Sequence, residues 1–286
     1  MIDSIRVWDT DTVLRPVATF FGAKVGGLED LGPESVACCG IFCDHFSEGE
    51  PGARFLARQF RYCSSDPWFQ NSLGFNAEHL IDVGDLNVYP LEPERLSSSL
   101  REQVARLVRT RASILFANPD FSLTPALIAG ILEAKSDKQI SVIRVSQRKD
   151  LEAVQDTSSL IGRRSQTGTR LSQLLGDRPD SLIWVQKCED LTDEHYEMLK
   201  GGTCFLSVDA DILGPAYGVT SAYSGAKSQR TQDVIAFIQS LKQLPIIAAE
   251  FTGHRPGFEL RDRAVTTHSL SIFSALAELL KQGERN

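Results

Sequence analysis

Short apolar runs alternate with longer amphipathic stretches along this chain, and the rhythm predicts strands and helices in turn. Val36 to Cys43 is a continuous apolar run, the pattern of a strand buried on both faces. Arg54 to Cys63 reads as helical, Leu80 to Val88 as a strand broken at Gly84, and Pro93 to Arg111 as an amphipathic helix. In that helix Leu96, Leu100, Val104, Leu107 and Val108 recur at helical spacing. Ser113 to Ala117 is a second buried strand, and Thr124 to Ala134 a helix with Pro125 in its first turn. The alternation continues through strand Ile140 to Val145, a polar connection turning helical over Arg163 to Leu175, and strand Leu182 to Val185. Helix Asp193 to Lys200, strand Cys204 to Val208, helix Thr231 to Leu241, strand Ile246 to Ala249 and helix His268 to Leu280 complete it. Such alternation predicts an α/β fold, a three-layer α/β/α sandwich around a mostly parallel sheet, in one domain over residues 1–286.

The most informative chemistry stands at the end of one strand, in Phe205-Leu206-Ser207-Val208-Asp209-Ala210-Asp211. The run breaks at Gly214-Pro215, which puts both carboxylates at the carboxyl end of the strand, where open α/β sheets hold ligands. Strand geometry points residues two apart to one face, and two anions on one face need a cation between them. Ser221 to Ser228 is a Gly/Ser-rich surface turn beside that site.

Composition narrows the partners. With 37 acidic against 30 basic residues and no basic tract, nucleic acid is excluded as a partner. No signal peptide is recognisable and no apolar run is long enough to span a bilayer, so a cytoplasmic protein with no membrane partner is expected. Cys38, Cys39, Cys43, Cys63, Cys188 and Cys204 form no Cys-x-x-Cys pair, which predicts free thiols in a reducing compartment and neither a metal site nor a nucleophile.

The order of motifs resembles the ureohydrolase superfamily, the arginases and agmatinases. Gly40-Ile41-Phe42-Cys43-Asp44, Pro51-Gly52-Ala53-Arg54-Phe55 with Arg58 to Arg61, Asp82-Val83-Gly84-Asp85, and Ser207 to Pro215 carry the resemblance, with Glu250 in the place of the glutamate that faces a guanidinium substrate. The resemblance implies a trimer or hexamer and a pair of manganese ions holding a bridging hydroxide that attacks a guanidinium carbon. The stretches that carry imidazole ligands in that family read differently here. Asn118-Pro119-Asp120-Phe121-Ser122 has phenylalanine in one imidazole position, and Ser146-Gln147-Arg148-Lys149-Asp150 has serine for a bridging aspartate and arginine for a histidine. Asp150, Asp209 and Asp211 remain as residual ligand positions, and no His-Gly pair occurs between Arg163 and Gly176. Phenylalanine has no lone pair and arginine no acceptor, so no metal and no other cofactor is expected. Arg148 is expected to stand in for the missing metals by bridging the carboxylates.

Three functions are compatible with these residues. One is metal-independent binding or conversion of a guanidino-, amidino- or amine-bearing cation, with Asp209, Asp211 and Glu250 catalytic and Asp120, Arg148, Asp150 and His45 contacting the ligand. His45 enters because the loop after the first strand lies at the ligand end of the sheet. Another is a non-catalytic scaffold, as a homo-oligomer or in a mixed oligomer with a homologue. The last is a weakened metal hydrolase with one ion on Asp150, Asp209 and Asp211.

Overall fold

The computed structural model describes residues 18–46, 52–135, 140–155, 159–176, 178, 181–213, 229–256 and 264–282. Pro51, the Gly214-Pro215 break and the 221–228 turn lie outside the described residues. The strands are β1 (Lys24–Val25), β2 (Val36–Ile41), β3 (Leu80–Leu86), β4 (Ser113–Ala117), β5 (Ser141–Val145), β6 (Leu182–Val185), β7 (Cys204–Asp209) and β8 (Ile246–Thr252). The helices are α1 (Leu56–Ser64), α2 (Pro67–Leu73), α3 (Pro93–Arg109), α4 (Thr124–Ala134), α5 (Thr167–Leu174), α6 (Asp193–Lys200), α7 (Thr231–Ser240) and α8 (Ala264–Gln282).

Among the described residues these strands form one sheet in the order β1-β3-β2-β4-β8-β7-β5-β6, parallel throughout. The chain leaves β4 and re-enters at β5, and β8 and β7 later fill the gap between them. Every residue of β2, β4 and β7 is buried, as their apolar runs require of strands covered on both faces. Side-chain alternation divides the core in two. Cys38, Leu115, Leu206, Val208 and Phe251 face α1, α7 and α8, whereas Cys39, Phe116, Phe205 and Ala248 face α3, α4 and α5. Helix α4 is apolar almost all round because α3 and α5 flank it.

Two elements were not anticipated. Strand β1 is too short for periodicity to reveal. Helix α2 begins at an Asp66 cap followed by Pro67, a start signal whose helix is too short for an amphipathic stripe. Strand β8 runs beyond Ala249 through Glu250 to Thr252, because neighbouring side chains satisfy the carboxylate inside the sheet.

Candidate functional site

Strand register builds the site. Arg144 on β5 lies opposite Ser207 on β7, Ser207 opposite Glu250 on β8, and Glu250 opposite Phe116 on β4. One same-face step toward the carboxyl ends come Asp209, with Thr252 opposite it, and Ser146 beyond β5. Alternation puts these polar groups on the face covered by α3, α4 and α5, where each must find a partner in place of water.

Glu250 is wholly buried. Asn118 Nδ2 donates to its Oε2 at 2.7 Å, Thr124 Oγ1 to its Oε1 at 2.8 Å, and Ser207 Oγ also to Oε1. Burial raises its pKa, against the pull of these donors and of Arg144. Arg144 is also wholly buried. Its Nη1 donates to Ser207 Oγ at 2.7 Å, its Nη2 pairs with Asp209 Oδ2, and its guanidinium carbon lies 3.6 Å from the centre of the Phe121 ring. The face of the Phe121 ring thus supports a buried cation.

A second guanidinium reaches the same oxygen. Arg164, in the turn before α5, donates from Nη2 to Asp209 Oδ2 at 2.7 Å. The same group lies 4.0 Å from Asp211 Oδ2, while Arg164 Nε is 3.5 Å from Asp150 Oδ2 and Nη1 is 3.9 Å from Asp120 Oδ2. One buried guanidinium therefore stands among four buried carboxylates.

These neighbours set the charge states. Burial pushes Asp209 upward, but Arg164 and Arg144 outweigh it and hold the carboxyl below its ordinary value. Asp211 is pushed up to about 7, by burial first and by Asp209 second, against the opposing pull of Arg164 and Arg144. Burial also raises Asp150, against Arg164 and Arg148. The surrounding carboxylates, Asp209 first, hold Arg164 in its charged form despite its burial.

The backbone is fitted to this arrangement. β7 ends at Asp209, and Asp211 follows in a 3-10 turn rather than in the strand, so the shared face expected of the pair gives way to a cap. Asp209 Oδ1 accepts from Asp211 N at 3.0 Å. Asp211 in turn accepts from Ser146 Oγ at 2.9 Å and Gln147 N at 3.1 Å. Gly253, at φ +80°, passes so close to Asp209 that a Cβ there would lie 2.3 Å from Oδ1. Asp150 has φ +44°, and its carbonyl accepts from Gly168 N at 2.9 Å. A Cβ on Gly168 would meet the carbonyl oxygens of Lys149 and Asp150 at 2.6 and 2.9 Å, so only glycine lets α5 seat against this turn.

Asp120, Asp150, Asp209 and Asp211 are thus brought together, and Glu250 joins them through Ser207 and Arg144 from deeper in the sheet. The hydrogen-bond partners of Glu250 are all side chains of the sheet and of the β4–α4 segment, Asn118, Thr124 and Ser207. Arg148 does not take the central position expected of it. It pairs with Asp150 at 2.7 Å from the rim, with its side chain 22% exposed, because the chain has already turned away from the strand. Arg164 and Arg144 hold the centre instead. His45 lies exposed in the turn after β2 with its ring against Phe46, outside the buried network. Arg144 carried a usable signal, a charge inside an apolar strand two residues before Ser146; Arg164, in a polar connection, carried none.

The other motifs serve the far half of the sheet. Arg61 donates to both oxygens of Asp82 at 2.8 and 2.9 Å and to Asp85 at 2.5 Å. Asp44 accepts from Gly52 N at 2.7 Å, which ties β2 to the loop leading into α1. Cys38, Cys39, Cys43, Cys63 and Cys204 are free and buried. Burial pushes the thiol pKa upward at Cys38, Cys39 and Cys43 and to about 12 at Cys204, the reverse of what a nucleophile needs.

Residues 34–162 match the Arginase family. Proclavaminate amidino hydrolase from Streptomyces clavuligerus superposes with a TM-score of 0.77 at 17% identity, covering 94% of this chain and 99% of that one. The fold is that of the arginases. Formimidoylglutamase from Bacillus subtilis (TM-score 0.73, 15% identity, 96% of each chain) and arginase from Bacillus caldovelox (TM-score 0.65, 14% identity, 85% of this chain and 98% of that one) share it. Comparison with curated proteins gives no match. Family match and arginase fold together support the ureohydrolase resemblance read from the motifs; at these identities the chemistry has to be read from the residues.

On the same end of the sheet an open groove of about 710 Å³ lies between the loops that follow β2, β3 and β5. Phe46, Glu92, Glu94, Ile161 and Arg163 line it, so it runs beside the segment that carries Arg164. No helix among the described residues is long and apolar enough to cross a membrane.

Proposed function

We propose that this chain is an arginase-fold protein that works by binding, without metal-assisted hydrolysis, its own arginines having taken the place of the metal centre. The observation that carries this reading is Arg164, whose guanidinium lies within 4.0 Å of carboxylate oxygens of Asp120, Asp150, Asp209 and Asp211.

The pair of manganese ions implied by the family resemblance does not fit these residues. Asp209 Oδ2 already receives two guanidiniums. A dication placed there would meet both positive charges at close range in a buried site, where repulsion is poorly screened. Phe121 and Arg148 offer no lone pair in the family's imidazole positions, and Ser146 uses its proton on Asp211. The full chain should release no urea from arginine, agmatine or guanidinobutyrate, with or without added manganese, and should carry no manganese when purified. Manganese-dependent urea release would overturn the reading.

What is bound has two readings. The groove beside Arg163 favours a small molecule of mixed charge: Glu92 and Glu94 offer carboxylates to a guanidino, amidino or amine cation, Arg95, Arg163 and Arg170 line the same groove and suit an anionic group on it, and Phe46 and Ile161 form an apolar wall. Tyr62 on α1 and Trp68 on α2, which are 61% and 72% exposed, favour assembly with a second copy or a homologue. Agmatine or putrescine raising the melting temperature supports the first; a co-purifying partner and no ligand response supports the second.

A further inference from the structure

The carboxylate cage is built around a guanidinium, and its occupant is covalently part of the chain. Arg164 reaches it from the turn ahead of α5, whereas Asp209 and Asp211 come from β7 and the turn after it, Asp120 from the turn after β4, and Asp150 from the turn after β5. The tethered fit is incomplete. Only Nη2 is within close hydrogen-bond distance of its acceptor, at 2.7 Å from Asp209, while Nε and Nη1 stand off at 3.5 and 3.9 Å. Asp150, whose side chain is 1% exposed, has both oxygens within ion-pair range of guanidiniums, and neither accepts a hydrogen bond. A planar cation with donors on every edge suits such a set of acceptors, and a free one could settle where the tether holds Arg164 back.

The geometry points to a guanidinium receptor whose resident ligand is Arg164: without that side chain, the cage of Asp120, Asp150, Asp209 and Asp211 takes a free guanidinium ion from solution. The inference rests on the metal-free reading of the same residues, and it adds the class of ligand the cage recognises.

The test compares thermal unfolding of the full chain and its Arg164→Ala variant in millimolar guanidinium, methylguanidinium, tetramethylammonium and manganese chlorides. The variant's midpoint should fall by several degrees and be raised again by guanidinium and methylguanidinium alone, while the parent chain does not respond. Arg109→Ala, which removes a surface guanidinium paired with Glu133 and leaves the cage intact, should not respond either. A folded Arg164→Ala variant indifferent to guanidinium overturns the inference. So does an equal response in the parent chain or in Arg109→Ala, or a rescue by manganese in place of guanidinium. Should Arg164→Ala not fold, Arg164→Gln, which keeps a polar stem without the charge, takes its place. Should neither fold, both are diluted from urea with and without guanidinium: recovery only with guanidinium upholds the receptor, and no recovery in either case overturns it. Urea release with manganese would sink the metal-free reading by itself and leave the thermal comparison legible.

Discussion

Arg164 donates to Asp209 across 2.7 Å between two side chains that are 4% and 0% exposed, and Arg144 pairs with the same carboxylate oxygen from below. A carboxylate this deep is costly unless paired, and two guanidiniums keep it charged in the folded state. Removing one partner strands the other.

Arg144→Met should therefore destabilise the fold by about 3 kcal/mol, since it removes a buried charge partner and the contact with Phe121. Adding Asp209→Asn should cost less than the sum of the single changes, because the pair is lost only once. Urea denaturation at neutral pH measures both. A loss of under about 1 kcal/mol for Arg144→Met would show that the pair adds little.

The pH dependence carries opposing contributions. Asp211 rises from an ordinary 3.8 to about 7, so the folded state binds the extra proton, and its contribution is full below about 4 and lost as pH climbs to 7. Burial lowers His254 from 6.5 to about 3; there the unfolded state binds the extra proton, and stability is lost as pH falls from 6.5 toward 3. Each changes stability by at most about 1.4 kcal/mol per pH unit, with opposite sign. Asp211→Asn should make stability rise more steeply with pH between about 4.5 and 6, and His254→Gln should tilt it the other way. Denaturation midpoints across that range decide it, and unchanged slopes would remove both residues from the account.

Gly253→Ala should cost about 2 kcal/mol or more, because an added Cβ meets Asp209 Oδ1 at 2.3 Å in a left-handed backbone. Displacement of Asp209 should also loosen Arg164, visible as a faster reaction of the arginine with a dicarbonyl reagent. Normal stability and protection would show that the close approach relaxes without consequence.

The architecture was legible because its signals are local. Buried strands read as apolar runs, and β4, α4, β6 and α6 occupy the bounds their sequences imply. The carboxylates were legible because Asp209 and Asp211 stand at a strand end. The cation among them was not, and the expectation fell on Arg148 through its position in a motif. Arg144 showed itself only as a charge inside a strand whose other members are apolar or small, and it takes the register and the ion pair to show that it faces Ser207 and Asp209. Arg164 lies 45 residues from Asp209 in sequence, in a connection whose path no periodicity describes.

Placing at these positions the ligand types that the ureohydrolase resemblance implies should not create a metal site. Phe121→His, Ser146→Asp and Arg148→His together leave Arg144 and Arg164 on Asp209, so the triple variant should bind no manganese by calorimetry. Stoichiometric binding would mean that the arginines yield to a competing cation.

The most direct measurement is a diffraction experiment at the manganese absorption edge, on crystals of the full chain grown with manganese. The account predicts continuous density for the Arg164 guanidinium against Asp209 and no anomalous peak among the carboxylates. Two anomalous peaks about 3.5 Å apart beside Asp209 and Asp211, with Arg164 turned away, would contradict it.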